Sequence, residues 1–227
     1  MSMPPTDPID LRSLRHAYDT VAEDYAARLP DTRAEAPLDL AMVDAFAEAV
    51  TSGGGDARVL DAGCGAGRMS RYLADRGCRV EGIDLSPGMV AMAGRDHPDL
   101  AFSVGSLTGL PYAADAFAGV MLWYSIIHTP PAGQARIFAE ASRVLAPGGH
   151  LLVGFQAGAG VRDVAPNYRR FGHEIELERH LYTADQVAER IEAAGLREVS
   201  RLVRRAQGDE RDDQAVLLAT SVTSSQA

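Results

Sequence analysis

The stretch VLDAGCGAGR, residues 59–68, decides how the rest of this sequence is interpreted. An apolar run ends at three glycines in alternate positions, Gly63, Gly65 and Gly67, and a helical pattern follows them. Glycine at a turn between a strand and a helix lets the backbone bend sharply and lets a ligand approach the main chain. Glycine after a strand is common in α/β proteins, so the function of this turn has to be inferred from the neighbouring sequence.

Strand-like and helix-like patterns alternate around this turn. Residues 11–29 and 38–50 have helical spacing, and the linker TSGGG follows at 51–55. Five strand-like runs come next, with helical patterns between most of them, and the chain closes with two further runs, LREVSRLVRR and DQAVLLATS. This order predicts an α/β fold with a seven-stranded, mostly parallel sheet, helices on both faces and an antiparallel C-terminal strand.

The same patterns divide the chain into parts. Residues 1–10 hold three prolines and little to bury, which predicts a flexible arm. Residues 11–52 form an N-terminal helical cap, and 53–221 form the main domain. Within that domain the alternation stops at 157–182, a segment rich in glycine, arginine and charge, and we interpret this segment as an insertion.

Composition excludes several kinds of chemistry. All 22 positive charges among the 227 residues are arginine, so pyridoxal-phosphate enzymes and P-loop NTPases, which need a lysine, are excluded. The net charge of −9 disfavours nucleic acid as a partner. No apolar run is long enough for a membrane span, and the first residues do not form a secretory signal. We expect a cytoplasmic protein, monomeric or homodimeric, without a metal site.

Two nucleoside ligands compete for the glycine turn. Asp84 ends the second strand-like run, where a carboxylate accepts hydrogen bonds from ribose hydroxyls. The dinucleotide fingerprint needs a small residue where this chain has Arg68, whose bulk disfavours the tight contact between helix and strand. Three alternate glycines after Asp61 suit a ligand that has no pyrophosphate.

These residues resemble the class I S-adenosylmethionine-dependent methyltransferases, in particular a small-molecule subgroup that is similar to the quinone-biosynthesis enzymes. The resemblance covers about residues 10–220 and rests on four ordered motifs: VLDAGCGAGR, VEGIDLSPGMV, VGSLTGLPYAADAFAGVMLWYSIIH and RVLAPGGHLLVGF. It implies a Rossmann-like fold in which 53–221 binds the cofactor S-adenosyl-L-methionine. It also implies that the N-terminal helices form a lid and that 157–182 lies on the substrate side.

The resemblance also implies roles for individual residues. Asp61 and the glycine turn face the methionine part, Asp84 holds the ribose, and Leu85 and Met89 pack against adenine. Ser106 departs from the family, in which an aspartate often binds the adenine amine. The implied cofactor-binding residues are Tyr18, Tyr25, Asp61, Gly63, Cys64, Gly65, Gly67, Arg68, Asp84, Leu85, Met89, Gly105, Ser106, Leu107 and Trp123. Core packing remains the alternative for the two tyrosines.

Candidate groups for the acceptor side follow the fourth strand or lie in the insertion. The candidate catalytic residues are His128, His173 and Tyr124. The candidate substrate-binding residues are Tyr168, Arg169 and Arg170, because paired arginines clamp a carboxylate or phosphate. A structural hydrogen bond for the first histidine and a solvated charged loop are the alternatives.

The predicted reaction is in-line transfer of a methyl group to nitrogen, oxygen or carbon of a small molecule. The fourth strand continues as WYSIIHTPP, without the N/D-P-P-Y/F motif of methylases that act on the amino groups of bases or of glutamine. Two alternatives stay open: an NAD(P)-binding Rossmann oxidoreductase and a catalytically silent S-adenosylmethionine-binding module.

Overall fold

The computed structural model describes residues 11–169 and 171–222. The expected arm at 1–10 and Arg170 lie outside these described residues. The helices are α1 (Leu11–Arg28), α2 (Pro37–Ser52), α3 (Arg68–Ala74), α4 (Pro87–Asp96), α5 (Pro131–Val144), α6 (Pro166–Arg169) and α7 (Ala184–Ala193). The strands are β1 (Arg58–Ala62), β2 (Arg79–Asp84), β3 (Ala101–Val104), β4 (Phe117–Trp123), β5 (Leu145–Ala157), β6 (Gly160–Asp163), β7 (Glu178–Leu181), β8 (Leu196–Arg204) and β9 (Asp213–Ser221).

Seven strands form one sheet in the order β3-β2-β1-β4-β5-β9-β8. The pairs from β3 to β5 are parallel, while β9 runs antiparallel to both of its neighbours. This is the predicted mostly parallel sheet with an antiparallel C-terminal strand, and the prediction is confirmed. The topology places the carboxyl ends of β1, β2 and β4 side by side, where ligands bind in open α/β sheets.

Helices cover both faces of the sheet, as predicted. On one face α5 and α7 pack against inward residues such as Leu60 and Leu122, and Phe138 is 1% exposed there. On the other face α2 and α3 pack against Val59 and Met121. Neighbouring strand residues thus enter opposite layers, and both layers are apolar, which explains why β1 and β4 appear in the sequence as continuous apolar runs.

Two details differ from the sequence prediction. The pattern predicts that α5 continues to a stop at 147–149, whereas the helix ends at Val144 and β5 begins at Leu145, which pairs with Phe117. Inside the segment 157–182 the structure contains a separate antiparallel pair, β6 and β7. Both strands have only four residues and consist mainly of polar or small residues, so they lack the apolar run by which longer strands are predicted.

The N-terminal helix α1 lies against α4. The Asp19 carboxylate accepts a hydrogen bond from the Ser86 hydroxyl at 2.6 Å and from the Gly88 amide at 2.9 Å. These groups belong to the first turn of α4 or its N-cap, where unpaired amides attract a negative charge. Within the described ranges, no helix combines the length and the apolar composition needed to cross a membrane.

Candidate functional site

The turn between β1 and α3 is built on left-handed glycines. Gly63, Gly65 and Gly67 have φ angles of +83°, +53° and +84°, a region that other residues rarely adopt. A Cβ at Gly63 would lie 2.3 Å from the Cβ of Ser125, whereas a Cβ at Gly65 would meet nothing closer than the Tyr25 ring at 3.8 Å. Gly63 is therefore needed for packing, whereas Gly65 is required by its φ angle and not by a close neighbour.

Asp61 is a buried carboxylate of which only one oxygen accepts a hydrogen bond from a side chain of the described residues. Its side chain is on β1, the residue is 1% exposed, and Oδ2 accepts a hydrogen bond of 2.6 Å from the Ser70 hydroxyl. Oδ1 is buried without a hydrogen-bond partner among the described residues. Burial raises the pKa of this carboxyl from its usual 3.8 to about 6. A cation bound near the turn would compensate this charge.

Asp84, at the end of β2, organises the neighbouring loop. Its Oδ2 accepts from the Gly65 amide and its Oδ1 from the Ser86 amide, each at 2.9 Å. Burial raises the pKa of this carboxyl too, and the two amide donors oppose that rise. Since a carboxylate has about four acceptor positions, two of them remain for hydroxyl groups of a ligand.

Most residues predicted to bind the cofactor line one pocket at this edge of the sheet. Arg15, Ser86, Thr108, Ser125 and Thr129 are among the further lining residues, and the sequence predicted no binding role for them. Ser106 bonds locally, with its hydroxyl 2.9 Å from that of Thr108. The predicted residues that line the pocket are Tyr18, Tyr25, Gly63, Gly65, Arg68, Asp84, Leu85, Met89, Ser106, Leu107 and Trp123, joined by Tyr124 and His128.

Four of the residues predicted to bind the cofactor do not line this pocket: Asp61, Cys64, Gly67 and Gly105. A Cβ at Gly105 would lie 2.5 Å from Ile83 Cδ1, so close packing demands this glycine. Cys64 is buried, and burial raises the pKa of its thiol well above the ordinary value. A neutral, buried thiol has no nucleophilic character, which agrees with a packing role for this residue.

Arg68 connects the turn to the segment between α1 and α2. Its guanidinium forms an ion pair with Glu35, and the side chains are 12% and 7% exposed. The Trp123 indole Nε1 also lies 3.5 Å from the same carboxylate. The arginine that disfavoured a dinucleotide in the sequence thus holds the N-terminal region against the glycine turn.

Tyr18 and His128 form a hydrogen-bonded pair beside the pocket. The Tyr18 hydroxyl lies 2.7 Å from His128 Nε2, and His128 Nδ1 lies 2.5 Å from the Glu178 carbonyl oxygen. A carbonyl only accepts, so Nδ1 carries the proton and Nε2 accepts from the tyrosine. Burial lowers the pKa of this histidine to about 4, which keeps the ring neutral near pH 7.

A second cavity, of about 860 Å³, adjoins the first on the side of the segment 157–182. Tyr18, Tyr25, Arg68, Tyr124 and His128 line both cavities. The structure adds the predicted residues Tyr168 and His173 to the second one; His173 Nε2 lies 2.5 Å from Asp24 Oδ2. We call this the outer cavity.

Tyr124 has a strained backbone where β4 ends. Its φ angle is +54°, which is unusual for a residue with a side chain, and its hydroxyl donates to Gln214 Oε1 at 2.8 Å. Such strain is maintained only where the surroundings over-determine it, and it occurs frequently at functional sites. The conformation turns this ring into the boundary between the two cavities.

The predicted arginine pair does not meet the outer cavity as a pair. Arg169 lies 4.0 Å from Asp163 and lines a neighbouring cavity, while Arg170 is outside the described residues. The arginines of the insertion that line the outer cavity are Arg162 and Arg179. Sequence reasoning missed both, because they are 17 positions apart and meet only through the pairing of β6 with β7.

Comparisons with known proteins agree with this geometry. Residues 59–149 match the family model described as "Methyltransferase domain". A demethylmenaquinone methyltransferase of Beutenbergia cavernae is 43% identical over 96 residues, which are 42% of this chain and 39% of that protein. The chain spans between about two fifths and one half of the length of the curated relatives that it matches.

Solved structures share the fold at low identity. The 1,6-didemethyltoxoflavin-N1-methyltransferase of Burkholderia thailandensis, solved with 1,6-didemethyltoxoflavin and S-adenosylhomocysteine bound, superposes with a TM-score of 0.70 at 23% identity, covering 98% of this chain and 93% of that one. The [4+2]-cyclase SpnF superposes with a TM-score of 0.68 at 21% identity, covering 98% and 100%. Residues 59–149 are therefore similar to known methyltransferase domains, and the chain shares the fold of these solved structures.

Proposed function

We propose that this protein transfers the methyl group of S-adenosylmethionine to nitrogen, oxygen or carbon of a small molecule. The observation that carries the proposal is the buried Oδ1 of Asp61, which has no hydrogen-bond partner among the described residues, beside the glycine turn. That arrangement suits a ligand with a positive charge and a group that approaches the main chain. A pyrophosphate would instead bring negative charge towards Asp61 and Asp84.

The residues present fit the cofactor. Asp61 would supply the counter-charge of its ammonium group, and Asp84 would use its free acceptor positions for the ribose hydroxyls. Leu85 and Met89 supply apolar walls for the adenine ring. When bound, the cofactor contributes a methyl group on a positively charged sulfur, an electrophile that needs no activation by the protein.

The protein then has to align the methyl acceptor with the cofactor and to exclude water from the site. Tyr124 follows the end of β4 and lines both cavities, so an acceptor molecule in the outer cavity would reach the cofactor pocket past this residue. Alignment of two reactants can contribute roughly 7–11 kcal/mol to lowering a barrier. We assign Tyr124 to this positioning role.

His128 is placed to contact the acceptor group, since it lines both cavities. Its pKa of about 4 makes it a weak base, and its free ring nitrogen already accepts from Tyr18. Because both ring nitrogens are engaged, His128 is not placed to remove a proton before transfer; it holds the Tyr18 hydroxyl, whose oxygen can accept a hydrogen bond from the acceptor group. Tyr18 and His128 together are therefore assigned to orientation, and His173, which pairs with Asp24, to the outer wall.

The experiment that tests the proposal is a pair of calorimetric titrations, with S-adenosylhomocysteine and with NAD. We expect binding of the first alone; binding of NAD alone would support the oxidoreductase alternative and overturn the proposal. Asp84→Ala should weaken S-adenosylhomocysteine by about tenfold or more, because it removes an acceptor of charge-assisted hydrogen bonds. The exposed Asp99→Ala is the matched control.

Turnover separates an enzyme from a silent binding module. A panel of small phenols, amines and carboxylates, assayed for S-adenosylhomocysteine release, should identify at least one acceptor whose product gains a methyl group by mass spectrometry. Cofactor binding without turnover on any member of the panel would favour the silent module. The [4+2]-cyclase SpnF makes this test necessary, because it has the same fold and a different activity.

A further inference from the structure

Arg162 and Arg179 stand directly opposite each other on the antiparallel strands β6 and β7. Like charges at opposed positions of neighbouring strands repel each other and destabilise the pair. Both side chains line the outer cavity and are partly exposed to it, 38% for Arg162 and 23% for Arg179. The hairpin therefore maintains an unfavourable charge arrangement at the cavity wall.

A single carboxylate lies between the two arginines. Arg162 Nη2 donates to Asp212 Oδ1 at 2.5 Å, while Arg179 Nη1 lies 3.7 Å from Asp212 Oδ2, beyond hydrogen-bond distance. The Asp212 side chain is 5% exposed, and its Oδ2 has no hydrogen-bond partner in the described part of the chain. One negative charge thus faces two positive charges, which leaves a net positive charge at this wall.

The other acidic side chains around the outer cavity are exposed or paired with residues other than these two arginines. Asp209 is exposed. Asp24 lies against His173, Glu35 against Arg68, and Glu210 against Arg204, which also pairs with Asp39.

Arg179 also acts on the groups at the centre of the cavity. Burial raises the pKa of Tyr168 to about 12, and the charge of Arg179 opposes that rise. Burial likewise lowers the pKa of His128, and the charge of Arg179 lowers it further. Arg179 therefore lines the same cavity as Tyr18, His128 and Tyr168, and its charge acts on all three.

We propose that Arg179, with Arg162 opposite it, binds a carboxylate of the methyl-accepting substrate, and that this substrate is a small aromatic acid. A planar guanidinium matches a planar carboxylate through two parallel hydrogen bonds. The surrounding rings of Tyr18, Tyr25 and Tyr168 provide an aromatic lining for the rest of the molecule. The inference rests on the proposed function, whose outer cavity it specifies.

The test compares each acid with the neutral amide of the same shape. Salicylate against salicylamide, and nicotinate against nicotinamide, are titrated calorimetrically into protein saturated with S-adenosylhomocysteine. The wild type should bind at least one acid about tenfold more tightly than its amide, as expected for loss of a hydrogen bond to a charged group. Equal affinity for acid and amide in both pairs, or binding of neither at millimolar concentration, overturns the proposal.

Three variants test which residues cause the preference for the acid over the amide. Arg179→Gln should remove the preference for the acid, and Arg169→Gln, on the neighbouring cavity, should leave it unchanged. Asp212→Asn should increase it, because it releases Arg179 from its competing carboxylate. A preference that survives in Arg179→Gln refutes the assignment.

S-adenosylhomocysteine binding is measured in every variant. Retained cofactor binding shows that a variant is folded, and it separates the two proposals. If the wild type does not bind S-adenosylhomocysteine, the proposed function fails. If it binds the cofactor product but shows no preference for acids, this inference alone fails.

Discussion

The buried charge of Asp61 makes a quantitative prediction about pH. The rise of its pKa from 3.8 to about 6 corresponds to about 3 kcal/mol in favour of the neutral carboxyl in the protein without cofactor. A positively charged ligand group favours the ionised form. Lowering the pH from about 7.5 to about 5 is therefore expected to weaken S-adenosylhomocysteine by up to about tenfold, as the carboxylate becomes protonated.

Asp61→Asn separates this effect from other titrations. The asparagine side chain carries no charge at any pH. The affinity of the variant for S-adenosylhomocysteine should therefore be lower than that of the wild type at neutral pH, and it should depend less on pH. Burial also raises the pKa of Asp84, and the pH dependence that remains in the variant belongs to that carboxyl. Isothermal titration calorimetry at five pH values, with the exposed Asp75→Asn as control, measures both slopes.

The same substitution should act in the opposite direction on stability. Because folding raises the pKa of the Asp61 carboxyl, this group does not lower the free energy of unfolding below about pH 4, and it lowers that free energy by its full amount above about pH 6. Asp61→Asn should therefore raise the free energy of unfolding at pH 7.5, by at most about 3 kcal/mol. Equal pH slopes for binding in Asp61→Asn and wild type would refute the reasoning, as would a less stable variant.

Three further predictions concern other contacts. Arg204, 7% exposed, forms two hydrogen bonds each with Asp39 and Glu210. Arg204→Met leaves the buried Asp39 unpaired and should lower the free energy of unfolding, measured with urea, by about 3–5 kcal/mol. A decrease of less than about 1 kcal/mol would contradict this. Asp19→Ala removes the acceptor that joins α1 to α4, so hydrogen exchange of α1 should accelerate while that of the sheet stays unchanged. For His128, with a pKa of about 4, kcat should be flat from pH 6 to 9; a titration near pH 6.5 that disappears in His128→Gln would show the assignment to be wrong.

The sheet could be predicted because each strand has its own local signal. β1, β4 and β5 are buried on both faces, so their apolar runs stand out whatever the tertiary context. The site at the carboxyl ends of β1 and β2 followed from topology, since Asp61 and Asp84 end parallel neighbours. The sequence does not show which hydrogen bonds form. Ser70, nine positions away on another element, donates to one oxygen of Asp61, and the other oxygen has no hydrogen-bond partner among the described residues.

The arginines of the insertion show a different limit. Tyr168 and Arg169 are neighbours in sequence, but successive residues of a helix point about 100° apart. On the short helix α6 this turns Tyr168 into the outer cavity and Arg169 towards Asp163. A pair such as Arg162 and Arg179 is visible only once the register of β6 and β7 is known.

The hairpin of β6 and β7 connects the two halves of the proposed site. The carbonyl of Glu178 accepts a hydrogen bond from Nδ1–H of His128, and the next residue, Arg179, lines the outer cavity. The amide of His180 donates to the Ile127 carbonyl at 2.7 Å, which fixes β7 against the loop that follows β4. One strand therefore sets the tautomer of the histidine and the position of the arginine. Because a displacement of β7 moves both groups together, substrate anchoring and orientation of the acceptor atom are expected to change together in any variant that loosens this strand.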